Sequence, residues 1–439
     1  MALKRVSCGC PTAIELRPWL GLVVLAALIL TPGLSQAQDW PQWRGPSRSG
    51  LAASVPVPTA WPEELEREWQ IDVGEGQSSP VVQGGRVYLM SREGSEEVVR
   101  ALELETGKEL WRQSYPASFA VKASAADYGE GPKSTPVVGD GKLCTLGISG
   151  ILSCFDSETG KRLWHKDFAG RYPAAAPPFG ASMSPLMRGG VLIAHVGGHD
   201  GGAVTAFDPA TGEEKWTLNG EGPGYSSPIL VEIQGHTQLV TQAHRHIMGV
   251  DAENGEFLWK IPFVSPCDQN VVTPVAYGDQ LIFSGPVQGT FVVSLTKEGE
   301  TWKPEIGWHN EEIASYMATP VLVDGVLFGM GRQRKGQFFA IDPKTGSVLW
   351  TSDGKDGYSA SLVALGHSIL VLKDTAELLV LSTDTKSFEP QAQYKVADSA
   401  TWAHPVPTAK GLLIKDAGTL ALWDLNGKPA PQAVVAVSP

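Results

Sequence analysis

Four histidines are the first residues in this sequence whose spacing could do chemistry. His195 and His199 flank Val196-Gly197-Gly198, and His244 and His246 stand two apart, so each pair would share one face of an extended strand. Two imidazoles are half of a typical zinc site. No carboxylate or cysteine partner is evident locally, so isolated polar loop residues are the expectation and no metal ligand set is assigned. Gly220-Glu-Gly222-Pro-Gly224 is glycine-rich, but it lacks the strand-to-helix setting of a dinucleotide site and reads as a loop. Nor does the sequence contain a Gly-x-Ser-x-Gly elbow, a Walker loop, His-Glu-x-x-His or Cys-x-x-Cys.

The long connections offer a better candidate surface. Trp111 to Pro136 spans 25 residues and Trp164 to Pro185 spans 21, whereas Trp216 to Pro228 spans 12. Long connections are often functional. They carry Asp127, Tyr128, Lys133 and Ser134, then Tyr172, then Ser182, and the short one carries Tyr225 and Ser226. Aromatic and polar groups converging on an axial funnel would suit a peptide, a glycan or a flat cofactor. The structural alternative is a plug for the channel, and both stay open.

The elements that position these loops are repeats. One phrase runs from Ala101 to Gly107 and on to Trp111, and recurs as Cys154 to Gly160 with Trp164, and Ala206 to Gly212 with Trp216. It returns as Gly249 to Gly255 with Trp259, and as Ala340 to Gly346 with Trp350. In each copy Trp follows Gly by four residues. A shorter copy, Lys297 to Trp302, and a degenerate one, Leu381 to Lys386, extend the series. A second phrase alternates with it: Ser79-Pro80-Val81, Thr135-Pro136-Val137, Ser184-Pro185-Leu186, Ser227-Pro228-Ile229, Thr273-Pro274-Val275 and Thr319-Pro320-Val321. Ser361-Leu362-Val363 lacks the proline, and His404-Pro405-Val406 lacks the hydroxyl. Intervals of about 41 to 56 residues fit propeller blades or short helical repeats. Periodicity decides for blades, because the runs between phrases are short, β-rich and bounded by Gly and Asp, with no sustained helical spacing.

The predicted fold is therefore all-β, an eight-bladed β-propeller of four-stranded antiparallel blades. In each blade the Ser/Thr-Pro strand is innermost and the Trp strand outermost. Asp opens the turn and Gly107, Gly160, Gly212, Gly255 and Gly346 supply its positive-φ position. Trp69, Trp111, Trp164, Trp216, Trp259, Trp302 and Trp350 are the expected blade anchors. The last repeat has material for only three strands, so the strand around Trp69 should complete it and close the ring.

Composition agrees with this organisation. Gly 49 and Pro 32 among 439 residues make turns plentiful, and 42% apolar residues supply a core. Charged residues at 19% leave little room for long solvated helices. A net charge of −12 without a basic footprint excludes a nucleic-acid partner. Lys4, Arg5 and Arg17, the apolar run Leu20 to Leu30, and Ser35-Gln36-Ala37 read as a signal peptide over 1–37, cleaved near Ala37. That run is shorter than the about 20 apolar residues of a membrane span. A Trp/Pro-rich segment at 38–68, the propeller at 69–428 and a tail at 429–439 would follow, in a periplasmic or secreted monomer with no membrane span. Cys144 and Cys154 stand on either side of a turn at Gly147 to Gly150; a cross-strand bridge is open to them, with small buried thiols the expectation.

The Asp-x-x-Thr-Gly-x-x-x-Trp repeats and the Ser/Thr-Pro-Val strands resemble those of PQQ-like β-propeller proteins, a family that includes BamB-type outer-membrane assembly factors and the larger quinoprotein dehydrogenases. The resemblance covers nearly all of the expected mature chain, and Asp39-Trp-Pro-Gln-Trp-Arg-Gly-Pro46 looks like the opening phrase of exported, non-dehydrogenase members. It implies a non-catalytic binding or assembly scaffold for envelope proteins or ligands, with a protein or glycan partner and no cofactor. The alternatives are a PQQ-dependent oxidoreductase, holding PQQ and Ca²⁺ in the funnel, and a carbohydrate-binding propeller. Two departures bear on this: no two cysteines are adjacent, as in the quinoprotein alcohol dehydrogenases, and no cysteine stands at the cleavage site to carry a lipid anchor.

Overall fold

The computed structural model describes residues 39–384 and 386–427, with the side chains of residues 124, 127 and 267 outside that description. The expected signal peptide and C-terminal tail lie outside the described residues. Eight antiparallel sheets of four strands form the blades of a propeller. Blades 1 to 7 comprise residues 81–116, 137–166, 186–219, 229–262, 275–310, 321–351 and 360–395. Blade 8 joins 406–424 to the strand Glu66–Asp72, which pairs with Thr419–Asp424 from Glu66↔Asp424 to Asp72↔Thr419. The ring thus closes as its incomplete last repeat requires. Among the described residues no helix is long and apolar enough to cross a membrane.

The Thr-Gly turn works as its chemistry predicts. In blade 2, Asp156 Oδ1 accepts the Thr159 N–H at 2.8 Å, and the Gly160 N–H reaches the Asp156 carbonyl at 2.9 Å. The strand register shifts just beyond, between Cys154 and Phe155. Glycine is required at this position for two reasons. Gly107 has φ +71, and a Cβ there would lie 2.8 Å from Trp69 Cε3. The previous blade's tryptophan lies flat on the glycine while its indole N–H caps a carbonyl of the same turn: Trp69 to Leu104 at 3.0 Å, Trp111 to Ser157 at 3.1 Å and Trp164 to Pro209 at 2.9 Å. Gly160, Gly212 and Gly255 meet Trp111, Trp164 and Trp216 in the same way.

Blades 5 and 7 break the series, and their packing changes accordingly. Trp302 and Trp308 share the outer strand Thr301–Asn310 of blade 5, but it is Trp308 that covers Gly346 and donates to the Pro343 carbonyl at 2.8 Å. Trp302 instead meets His236 edge-on at 5.4 Å. Trp259 faces a blade without the Thr-Gly turn, and its indole N–H bonds Gln238 of its own blade at 2.8 Å. Trp350 packs on Phe388 where blade 7 has no glycine.

The Ser/Thr-Pro phrase laces neighbouring blades. Backbone N–H groups of His404, Ser79, Thr135, Ser184 and Thr273 donate to the hydroxyls of Ser79, Thr135, Ser184, Ser227 and Thr319 in the next blade. The following proline has no N–H. What remains facing the axis at this level is therefore a rim of carbonyl oxygens.

Cys144 and Cys154 form a disulfide, in place of the expected separate thiols. They are direct partners across the second and third strands of blade 2, which brings the sulfurs together. Their separation of 10 residues sets the loop-closure term at about 2–3 kcal/mol. Replacing both with Ser should cost roughly that much in denaturant unfolding. An unchanged midpoint would show the bridge contributes nothing to stability.

Candidate functional site

The segment after Asp39 enters the channel. Trp40 exchanges backbone hydrogen bonds with Val82 of blade 1, the Val138 N–H of blade 2 donates to the Pro41 carbonyl, and the returning chain pairs Gly50 and Ala52 with Ala364 of blade 7. Between these points the chain reaches the carbonyl rim. Arg44 donates to Thr319 at 3.1 Å, Pro320 at 2.7 Å and Ser49 at 2.9 Å, and Arg48 donates to Pro185 at 2.9 Å and Ser184 at 3.0 Å. Trp43 donates to Thr273 Oγ1 at 3.1 Å and meets the His404 ring edge-on. A guanidinium has five donors and no acceptor, which matches a rim that offers only acceptors. Trp40, Arg44 and Arg48 are buried, and burial lowers both guanidinium pKa values to about 9. The cavity beside them, lined by Arg44, Arg48 and Pro274, holds about 140 Å³.

The face carrying the interblade loops holds the second group. Lys133 Nζ donates to the Phe179 carbonyl at 3.0 Å, and burial lowers its pKa. The Phe179 N–H reaches the Tyr225 hydroxyl at 3.3 Å, and Ser182 Oγ donates to the Tyr225 carbonyl at 3.1 Å. Burial raises the Tyr225 pKa, so its hydroxyl stays protonated. The Tyr225 ring meets His199 edge-on at 5.2 Å, and His199 stacks on His244 at 4.1 Å. Burial, then the neighbouring His244, lowers the His199 pKa to about 4. Asp268 Oδ1 lies 3.4 Å from His244 Nε2.

Lys133, Ser182 and Tyr225 are therefore brought together, and the other proposed site residues are not. Tyr128 leaves the group to meet Trp402 edge-on at 5.0 Å. Tyr172 packs on Phe168 beneath Arg171. Ser226 Oγ is occupied with the Val272 carbonyl, and Ser134 Oγ is buried without a partner. The Asp127 side chain lies outside the described residues. Sequence reasoning paired the histidines along their strands; the structure pairs them across blades 3 and 4. Arg44, Arg48 and Asp268 were not among the expected site residues, and only the opening phrase around Trp43-Arg44 signalled the first of these.

Eight four-stranded blades closed by an N-terminal strand define the class of eight-bladed β-propellers. The chain belongs to the family described as outer membrane protein assembly factor BamB, whose model matches residues 95–352. Outer membrane protein assembly factor BamB of Yersinia pestis is 23% identical over 371 residues, covering 79% of this chain and 85% of the relative. Among solved structures, BamB from Moraxella catarrhalis superposes with a TM-score of 0.61 at 15% identity, covering 84% of this chain and 99% of the other. Quinohemoprotein alcohol dehydrogenase from Comamonas testosteroni does so with 0.65 at 14% identity, covering 89% and 81%. At these identities the structural likenesses establish the fold alone.

The dehydrogenase's name implies a quinone, and the axial residues of this chain do not fit one. The Nη groups of Arg44 and Arg48, which could have bound a quinone's oxygens, are committed to protein carbonyls. The adjoining space of 140 Å³ falls below the about 300–1,000 Å³ of small-molecule pockets. The paired cysteines of the quinoprotein pattern are absent too, since Cys144 and Cys154 are bonded inside blade 2.

Proposed function

We propose that this propeller is a non-catalytic scaffold of the bacterial envelope that binds proteins during outer-membrane assembly. The observation that carries this reading is the filled axis, which leaves the rims and faces of the ring as working surfaces. The loop face also exposes apolar side chains: Val264 before blade 5, Val287 in the blade 5 hairpin and Tyr358 before blade 7. Gln288 Nε2 donates to the Val264 carbonyl at 2.7 Å and so ties the first two loops together. Val287 is 79% exposed and has φ +61, an uncommon conformation for a β-branched residue. Clustered exposed apolar groups mark interaction sites. Similarity to proteins named as outer-membrane assembly factors supports an envelope partner, and the signal-like N-terminus supports export.

The test is co-purification from envelope extract against β-barrel outer-membrane proteins and their assembly machinery. Val264→Asp with Val287→Asp should abolish the association by at least tenfold and leave the melting temperature unchanged, because both side chains are solvent-facing. If retention of those partners were unaffected, this face would not be the docking surface. Quinone absorbance and dye-linked alcohol oxidation after refolding with PQQ and Ca²⁺ would replace the scaffold reading with a dehydrogenase.

A further inference from the structure

His199 lies in the hairpin between Val191–Gly198 and Gly201–Phe207 of blade 3. His244 lies in the equivalent hairpin of blade 4, between His236–Gln242 and His246–Asp251. Asp268 closes the short 3-10 turn Pro266–Asp268 that leads from blade 4 to blade 5. Three separate loops thus converge, and their donor atoms all lie within 4.8 Å of one another.

The hydrogen bonding fixes what each donor presents. His244 Nδ1 lies 2.9 Å from the His199 carbonyl. A carbonyl can only accept, so Nδ1 carries a proton, and in the metal-binding tautomer Nε2 presents its lone pair. That lone pair faces the Asp268 carboxylate at 3.4 Å. Two acceptors face to face repel unless a cation sits between them. His199 Nε2 is likewise buried with no hydrogen-bond partner. Behind the site, Asn270 Nδ2 donates to the carbonyls of Ala243, His244 and Phe263, at 2.8, 3.0 and 3.0 Å, and pins both chains that carry it. A ring whose far nitrogen is held by a carbonyl is the usual arrangement of a metal-binding histidine.

We propose that His199, His244 and Asp268 form a binding site for a divalent transition metal of the zinc type. With metal–ligand bonds of about 2.0–2.2 Å, two ligands of a tetrahedral ion stand about 3.3–3.5 Å apart. The His244–Asp268 edge already has that span. His199, whose donor atom lies within 4.8 Å of the others, completes the set by a movement of up to about 1.4 Å with a turn of its ring out of the stack on His244. Asp268 has the freedom to adjust, since its side chain is 54% exposed. Two imidazoles and one carboxylate leave a fourth position for water or for a side chain of a bound partner.

The protein, freed of metal with a chelator and dialysed, is titrated with Zn²⁺ by calorimetry and with Co²⁺ by visible absorption. One equivalent of each should bind, with the intense visible bands of four-coordinate Co²⁺. Asp268→Asn, at a half-exposed position, should weaken binding at least tenfold with an unchanged circular dichroism spectrum, and His199→Gln should abolish the Co²⁺ bands. His246→Gln, at a histidine bonded to Glu221 outside the cluster, should bind normally. The proposal is overturned if no stoichiometric binding occurs. It is overturned equally if Asp268→Asn and His199→Gln bind as the parent does. A cation that is only a proton shared by His244 and Asp268 would give the first of these results.

Discussion

Arg44→Ala should lower the stability of the folded chain by about 3–5 kcal/mol, the largest expected loss from a single substitution in the channel. The substitution removes partners from acceptors as well as a charge. Arg44 supplies the hydrogen-bond partners of the Thr319, Pro320 and Ser49 carbonyls, and it is buried. Removing it strands these oxygens and leaves space next to an existing cavity. Hydrogen bonds to a charged group are each worth about 1.5–3 kcal/mol, and partial relaxation brings the sum to the stated range. For a body of about 390 residues the unfolding entropy is about 0.8 kcal/mol per kelvin, so the melting temperature should fall by about 4–6 °C. Arg44→Lys should recover only part of this, because an ammonium cannot fork between carbonyls of one strand and the segment's own turn. The exposed Arg188→Ala serves as control. A melting temperature for Arg44→Ala within about 1 °C of the parent would mean that the segment is not part of the cooperative unit.

Acidification from pH 7 to pH 5 should destabilise the fold by about 4 kcal/mol through two buried histidines. Burial lowers the His195 pKa to about 4, against the opposing effect of the Glu221 carbonyl. His404 falls to about 3: burial and the Arg44 charge outweigh two carbonyls, Pro405 and Leu362, that favour the protonated ring. Both folded values lie below the about 6.5 of an unfolded histidine. Below pH 6.5 the unfolded chain therefore takes up protons that the folded chain refuses, and stability falls with pH until the folded values are reached. At pH 5 the unfolded gain is about 2 kcal/mol per residue. Glu97 and Asp374, whose carboxyls are raised by burial, act in the opposite sense. Urea midpoints at the two pH values, for the parent and for His195→Gln with His404→Gln, isolate the part due to these two rings; His199, lowered to about 4, keeps its own share in both proteins. If the double variant kept the full pH dependence, these two rings would not be its source.

The ring itself was legible in the sequence because five of the blades repeat the same local physics. A turn led by an acidic residue, a positive-φ glycine and a tryptophan four residues later solve one packing problem, so the phrase can be read at Gly107, Gly160, Gly212 and Gly255 without a structure. Trp308 was missed because blade 5 lengthens its outer hairpin, which moves the covering tryptophan off its usual spacing from the glycine. The disulfide needed the register of blade 2, which a turn of uncertain length leaves open. Arg44 and Arg48 were invisible as channel residues since their partners are carbonyls, and backbone atoms leave no trace in residue identity. His199, His244 and Asp268 meet only because hairpins of adjacent blades lie side by side, whereas strand spacing pointed to His195 with His199 and His244 with His246.

The closing strand sets a timetable. Its partner Thr419–Asp424 emerges about 350 residues later, which at about 5–20 residues per second leaves Glu66–Asp72 without it for roughly 20–70 s of synthesis. The Pro62 carbonyl must likewise wait for the Tyr394 hydroxyl, 332 positions away, and Ser79 Oγ for the last blade's His404 N–H. Such distant pairings make folding slow and leave an unpaired edge open to the wrong neighbour. The composition of the strand answers that exposure: Glu66, Arg67, Glu68 and Asp72 crowd charge onto seven residues. Arg67, Glu68 and Asp72, which face solvent in the finished ring, also guard its loose end against wrong pairing until the last blade is made.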